Sequence, residues 1–309
     1  MFDIVGKRYW YFLLSLIIIV PGAVSLLVFH LRPGIDFVGG SLLQVTTEHV
    51  VTTSAVTGVL EAQGFKDSVV QLSTDNAQNV VSIRTANMSN DQKNAIIKGM
   101  SSIPGVGTIT ESDFSAVGPV IGAETTRTAI ILVVVACVFI LLYIAFAFRN
   151  VSNPFRYGMC ALIALLHDVL VVSGIFSILG KLFNVEIDSL FVTAMLTVIG
   201  FSVHDTIVVF DRIRENLGRR TGEPFGVIVN ASVVQTLARS LNTSITVLLT
   251  LLALYLFGGT TTRTFVLALL IGIFSGTYSS IFNASCLLVT WQDRDLPKLF
   301  SRLRGSPAS

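Results

Sequence analysis

The sequence predicts a membrane α-helical bundle of six transmembrane helices, with an α+β ferredoxin-like domain inserted between helices 1 and 2. Three observations carry this fold class. Charged residues make up 13% of the chain and hydrophobic residues 52%, whereas soluble domains carry roughly a quarter charged residues. Six separate runs of mostly apolar residues are each long enough to cross a bilayer. Between the first and second runs the pattern changes to that of a soluble domain.

The spans are expected at Tyr9–Phe29, Thr128–Phe148, Phe155–Leu179, Ser189–Phe210, Val233–Phe257 and Phe265–Thr290. The first is too long for a signal-peptide core and lacks a small-residue cleavage site. Lys and Arg gather on one side of the bundle: Lys7, Arg8, Arg149, Arg156, the run from Arg212 to Arg220, and the C-terminal tail. The opposite short loops hold Lys181 and Arg263. By the positive-inside rule both termini are cytoplasmic and residues about 31–127 extracytoplasmic.

The chain therefore divides into 1–33 (N-terminus and helix 1), 34–126 (the inserted periplasmic domain) and 127–309 (helices 2–6 and the C-terminus). Within the insert, SLLQVTTE reads as a strand and Thr53–Gln63 as an amphipathic helix. DSVVQLS and NVVSIRTA follow as strands. SNDQKNAIIKGMSSI is a helix capped by Ser89 or Asn90, and GTITESDFSAVG is a last strand. The order β-α-β-β-α-β is that of a ferredoxin-like sandwich.

A net charge of +2, with basic residues at membrane flanks, gives no nucleic-acid signal. Cys137, Cys160 and Cys286 sit in apolar runs and read as small core residues, with no metal-ligand spacing and no implied cofactor. The spans hold no GxGD or HExxH pattern, which argues against an intramembrane enzyme.

Polar residues inside the spans are the candidate machinery. Span four aligns Thr193, Thr197, Gly200 and His204, with Ser202 and Asp205 on the adjoining stripe. Span five carries Ser232, Gln235, Thr236, Arg239, Asn242, Thr243, Thr246 and Thr250 along one side. Span six offers Gly272, Ser275, Gly276, Ser279 and Asn283, small residues that allow close helix approach. Span three adds His167 and Asp168. A charge at mid-bilayer costs about 2.5–3.5 kcal/mol on insertion scales. Asp205 and Arg239 lie at comparable depth, roughly 10 Å in from the loop joining their spans at about 1.5 Å per residue, so they can pair. On the residues alone two readings stay open: an ion pair that fixes helix register, or a carboxylate that loads and releases protons as the bundle moves.

GIDFVGGS (34–41), VGPVIGAE (117–124), ALIALLHDV (161–169), VIGFSVHDTIVVFDRIREN on span four, QTLARSLNTS on span five and GTYSSIFNAS on span six resemble, in order, motifs of the bacterial SecF family. SecF is a member of the resistance-nodulation-division superfamily and a subunit of SecDF. The resemblance implies a non-enzymatic accessory subunit of the Sec preprotein translocase in the bacterial inner membrane, driven by the proton-motive force. It implies SecD, the SecYEG channel, YajC, YidC, the translocating preprotein, protons and membrane lipid as partners. It also carries over Asp205, Arg239 and Thr243 as proton-pathway residues. His204 stands where the family has Asn: it either joins the proton path or donates a hydrogen bond as Asn would. Asp168 is a second proton-linked group or a partner for polar groups of the bundle. Gly34, Asp36, Gly39 and Gly40 form a structural motif at the exit of span one, the glycines permitting a tight turn into the first strand. The alternative function is a small-molecule proton antiporter of the same superfamily.

Overall fold

The computed structural model describes residues 2–75, 78–149, 151 and 153–293. The chain divides into two compact units, one formed by residues up to 32 together with those from 131, the other by residues 33–130.

The smaller unit begins with a one-turn helix, α2 (Ile35–Val38), leading into β1 (Gly40–Thr47), α3 (Thr53–Ala62), β2 (Val69–Asp75), β3 (Gln78–Thr85), α4 (Asn90–Ser101) and β4 (Ile109–Val117). The sheet order β2-β3-β1-β4, all antiparallel, is that of a ferredoxin-like fold. Alternating apolar positions of β1 and β3 (Leu43, Val45, Val81, Ile83) bury one sheet face against Val56 and Leu60 of α3 and Ile96 and Met100 of α4. Ser89 is the cap of α4. Its hydroxyl accepts from the Gln92 N–H at 3.3 Å, and the Gln92 side chain accepts from the Ser89 N–H at 2.9 Å, closing a capping box.

Gly34 caps α2, and Asp36 lies in its first turn. Gly39 and Gly40 then turn the chain into β1 with φ of +77° and +124°, a region closed to most side chains. A Cβ on Gly40 would lie 2.6 Å from the Thr85 carbonyl oxygen, and one on Gly39 2.9 Å from Pro119 Cα. The glycines here serve close backbone approach as well as the turn.

The membrane-capable helices are α1 (Arg8–Phe29), α5 (Pro119–Ala147), α6 (Pro154–Phe183), α7 (Ser189–Arg219), α8 (Phe225–Phe257) and a sixth built from α9 (Thr260–Tyr278), a π segment (Ser279–Ala284) and α10 (Ser285–Gln292). Several outrun the hydropathy-based spans, because a helix continues into polar surroundings that an apolar window cannot detect. The interruption of span six by a π turn has no counterpart in the hydrophobic pattern.

Small residues set the helix crossings. A Cβ on Gly174 of α6 would fall 2.6 Å from the Gly22 Cα of α1, so these two backbones nearly touch. One turn on, Ser25 donates to the Ser177 hydroxyl at 2.8 Å, and Ser177 donates to the His30 carbonyl. Gly272 and Gly276 of α9 pack onto Val198 and Ser202 of α7, as the small-residue spacing predicts. The core of α6, α7, α8 and the sixth span includes Cys160, Ala164, Ile199, Val209, Phe210, Val233 and Leu288. The three cysteines are free thiols, Cys160 and Cys286 fully buried.

Candidate functional site: two buried carboxylates

Asp168 of α6 lies at the centre of the bundle with 1% of its surface exposed. Ser202 of α7 and Ser279 of the π segment each donate to its Oδ2 at 2.6 Å. Ser275 of α9 donates to Oδ1 at 2.8 Å. His167 Nδ1 lies 3.0 Å from Oδ1 and, as the Nδ1–H tautomer, donates to it. Two donors on each oxygen saturate an acceptor-only group. The Asp168 carboxyl thus ties α6 to α7, α9 and the π segment.

The node extends through the Ser202 carbonyl, which accepts from Thr206 at 3.0 Å and from Ser280 at 2.8 Å. The π turn is what brings Ser279 and Ser280 inward together, both fully buried.

Asp205 stands one turn beyond Ser202 on α7 and is equally buried, at 2% exposure. Its setting is otherwise opposite: Oδ2 has no hydrogen-bond partner among the described residues. Oδ1 is 3.9 Å from His204 Nδ1, beyond hydrogen-bond reach, and the His204 side chain is 65% exposed. Ser244 of α8 is its hydroxyl neighbour, and Thr277 of α9 donates to Ser244 at 2.6 Å.

The expected Asp205–Arg239 pair is not formed: among the described residues no ion pair within 4.0 Å joins them. Helix phase is the reason. On α8 the inward stripe is Ser232, Thr236, Ser240 and Ser244, at four-residue spacing. Arg239, Asn242, Thr243, Thr246 and Thr250 are exposed, so the polar residues expected on one side are split between two faces. Arg239 borders a 440 Å³ cavity with Asp211, Arg212, Glu215 and Gln235. The Thr243 hydroxyl donates to the Arg239 carbonyl at 3.0 Å. Ser202, one turn before Asp205, is committed to Asp168. Thr193, Thr197, Gly200 and His204 form a matching exposed stripe on α7.

Ser240 and Ser244 were missed in the sequence reading, although their spacing from Ser232 and Thr236 was a usable signal. Among the described residues no group of His, Cys, Asp and Glu side chains is arranged to hold a metal ion.

The family described as protein export membrane protein SecD/SecF, C-terminal, matches residues 100–294, and the SecD/SecF GG motif matches 24–49. The chain belongs to the SecF family. It is 54% identical to the protein translocase subunit SecF of Thermobaculum terrenum over the whole of both chains. It is 33% identical to protein translocase subunit SecDF of Bacillus subtilis, covering 96% of this chain and 39% of that one. The crystal structure of SecDF from Thermus thermophilus, described as a translocon-associated membrane protein, superposes with a TM-score of 0.83 at 34% identity, over 95% of this chain and 39% of that one. This SecF-family chain is thus a multi-pass membrane protein with the matched fold, and Gly39 and Gly40 fall inside the GG-motif region.

Proposed function

We propose that this chain is a subunit of the bacterial protein-export machinery that uses the proton-motive force, through Asp205, to assist preprotein movement at the SecYEG channel, together with a SecD partner. The observation that carries the proposal is the buried Asp205 carboxyl with one oxygen left without a donor. An ionised carboxylate so placed lacks part of the hydrogen bonding that offsets its desolvation. Binding a proton removes the charge, and approach of Arg239 or water restores it. Helix movement at this point is therefore coupled to protonation. Arg239 and Thr243 lie on the adjacent exposed face, ready to re-pair when α8 turns, and His204 lies next to the same carboxyl on the outer face.

The exposed stripes of α7 and α8 support the partner. A hydrocarbon-facing Arg239, Asn242 and row of threonines is costly, and a second helical bundle covering them removes the cost. The SecDF relative of Bacillus subtilis carries the matching region as 39% of one polypeptide, which fits SecD as the partner. YajC and YidC are further partners implied by the family. The inner membrane, with both termini cytoplasmic and residues about 31–127 outside, is the proposed location, in keeping with the charge asymmetry of the loops.

The test is export in vesicles reconstituted with the complex. Asp205→Asn is expected to assemble and to lose proton-gradient stimulation of preprotein release, and drug efflux is expected to be unaffected by the chain. Stimulation retained in Asp205→Asn removes Asp205 from the mechanism.

A further inference from the structure

On the other side of the Asp168 node, a cavity of 260 Å³ lies between α1, α6, the π segment and α10. Two polar atoms on its lining residues are buried and without hydrogen-bond partners: His167 Nε2 and Asn283 Oδ1, each side chain 8% exposed. Both are acceptors. The Nδ1 proton of His167 is committed to Asp168, which leaves a lone pair on Nε2. The Asn283 amide nitrogen donates to the Ser15 hydroxyl at 2.7 Å, which leaves its carbonyl oxygen free.

A water molecule occupies about 30 Å³ of liquid and needs two to four polar partners to persist in a protein interior. The cavity has room for several. Its unsatisfied atoms call for donors, which water supplies and a lipid chain does not. A neighbouring cavity of 530 Å³ also borders His167, but its other polar side chains, Ser275 and Tyr278, already donate to Asp168 and to the Tyr11 carbonyl.

We infer that the smaller cavity is a hydrated proton-binding site, in which His167 Nε2 is the atom that takes the proton. Hydronium in the cavity transfers H⁺ to Nε2 and is left as water; the product is an imidazolium whose Nδ1–H still donates to the ionised Asp168. Return of the proton to a cavity water reverses the step. The surroundings suit this exchange. Among the described residues Asp168 is the carboxylate in contact with the ring, and the Tyr278 ring of α9 lies tilted at 6.3 Å between centroids. α1 presents Phe12, Ser15 and Leu16, α10 presents Leu287 and α8 Leu248, none of them charged. The site goes beyond the Asp205 reading and is independent of it. It lies on a different face, and the contact between Nδ1 and Asp168 is kept throughout.

Equilibrium nitrogen NMR on the full-length chain in lipid vesicles tests the inference. Replacing the three exposed histidines, His30, His49 and His204, by Gln leaves His167 as the single ¹⁵N-histidine signal. The expected result is an unprotonated Nε2 at the alkaline end with a cross-peak to water protons, converting to an imidazolium signal as pH falls between about 8 and 5, the range in which histidine titrates. Asn283→Leu is expected to weaken the water cross-peak. A ring with no water contact, a proton resident on Nε2 at the alkaline end, or no conversion across that range overturns the inference. None of these outcomes bears on Asp205→Asn, and the export result for that variant leaves the hydration of His167 undecided, so the two claims fail separately.

Discussion

Asp168→Asn and Asp205→Asn make the same chemical change at two equally buried positions, and the structure predicts opposite effects on stability. At Asp168 four donors lose their charged acceptor. An amide accepts only at its oxygen, so two of these bonds become neutral ones at about 1 kcal/mol each and the other two, worth about 2 kcal/mol each, are lost, about 6 in all. Relief of burying an ion offsets most of that, leaving about 2 kcal/mol of destabilisation, or roughly a 4–8 °C lower midpoint by the scaling for a unit of this size. At Asp205 an oxygen without a donor is replaced by a neutral amide, so the midpoint is expected to hold or rise. Cys160 and Cys286 are fully buried and free, so a thiol-reactive dye reports unfolding in detergent or nanodiscs. Equal melting of the two variants, or a lower midpoint for Asp205→Asn than for Asp168→Asn, refutes the division of roles between the carboxylates.

Three further outcomes follow from packing and charge. Gly174→Ala forces a methyl against the Gly22 backbone at 2.6 Å; overpacking of about 1–3 kcal/mol is expected, read by the same dye assay and by weaker cysteine cross-linking between α1 and α6. Gly40→Ala places a side chain at φ +124° and 2.6 Å from the Thr85 carbonyl, which is expected to cost about 1–3 kcal/mol and to raise protease sensitivity at the start of β1. Glu48 accepts from the Thr108 hydroxyl at 2.7 Å and from its N–H at 3.1 Å, which holds the carboxyl below the ordinary carboxylate range. Its stabilising contribution is therefore present above the unfolded-state value and lost as pH falls through the folded one. Thr108→Val is expected to flatten that acidic stretch of the stability–pH curve of the 33–130 unit; an unchanged curve refutes the assignment.

The membrane helices and the ferredoxin-like order were legible in the sequence because both rest on periodicity, and periodicity survives without tertiary information. The Ser89 cap was legible for the same local reason. Which face of α8 points inward was not. Ser240 and Ser244 differ little in polarity from Thr243 and Thr246, and only the packing of Ser244 beside Asp205 and Thr277 selects the phase. Equal depth in the bilayer does not make Asp205 and Arg239 neighbours, because the angle around the helix axis decides which side chains meet. The setting of Asp168 is not legible in the sequence, because its donors come from α7, α9 and the π segment, far apart in the chain.

In a regular α-helix neighbouring residues diverge by about 100° around the axis, so two successive side chains seldom address the same interior. The wider coil at Ser279–Ala284 relaxes that rule. It lets one short stretch of span six reach three neighbours at once: Ser279 the carboxylate on α6, Ser280 a carbonyl on α7, and Asn283 a hydroxyl on α1. Tightening it by a single residue would swing everything downstream through that same angle and release the three contacts together. This junction is thus a place where one small change of winding is felt by three helices.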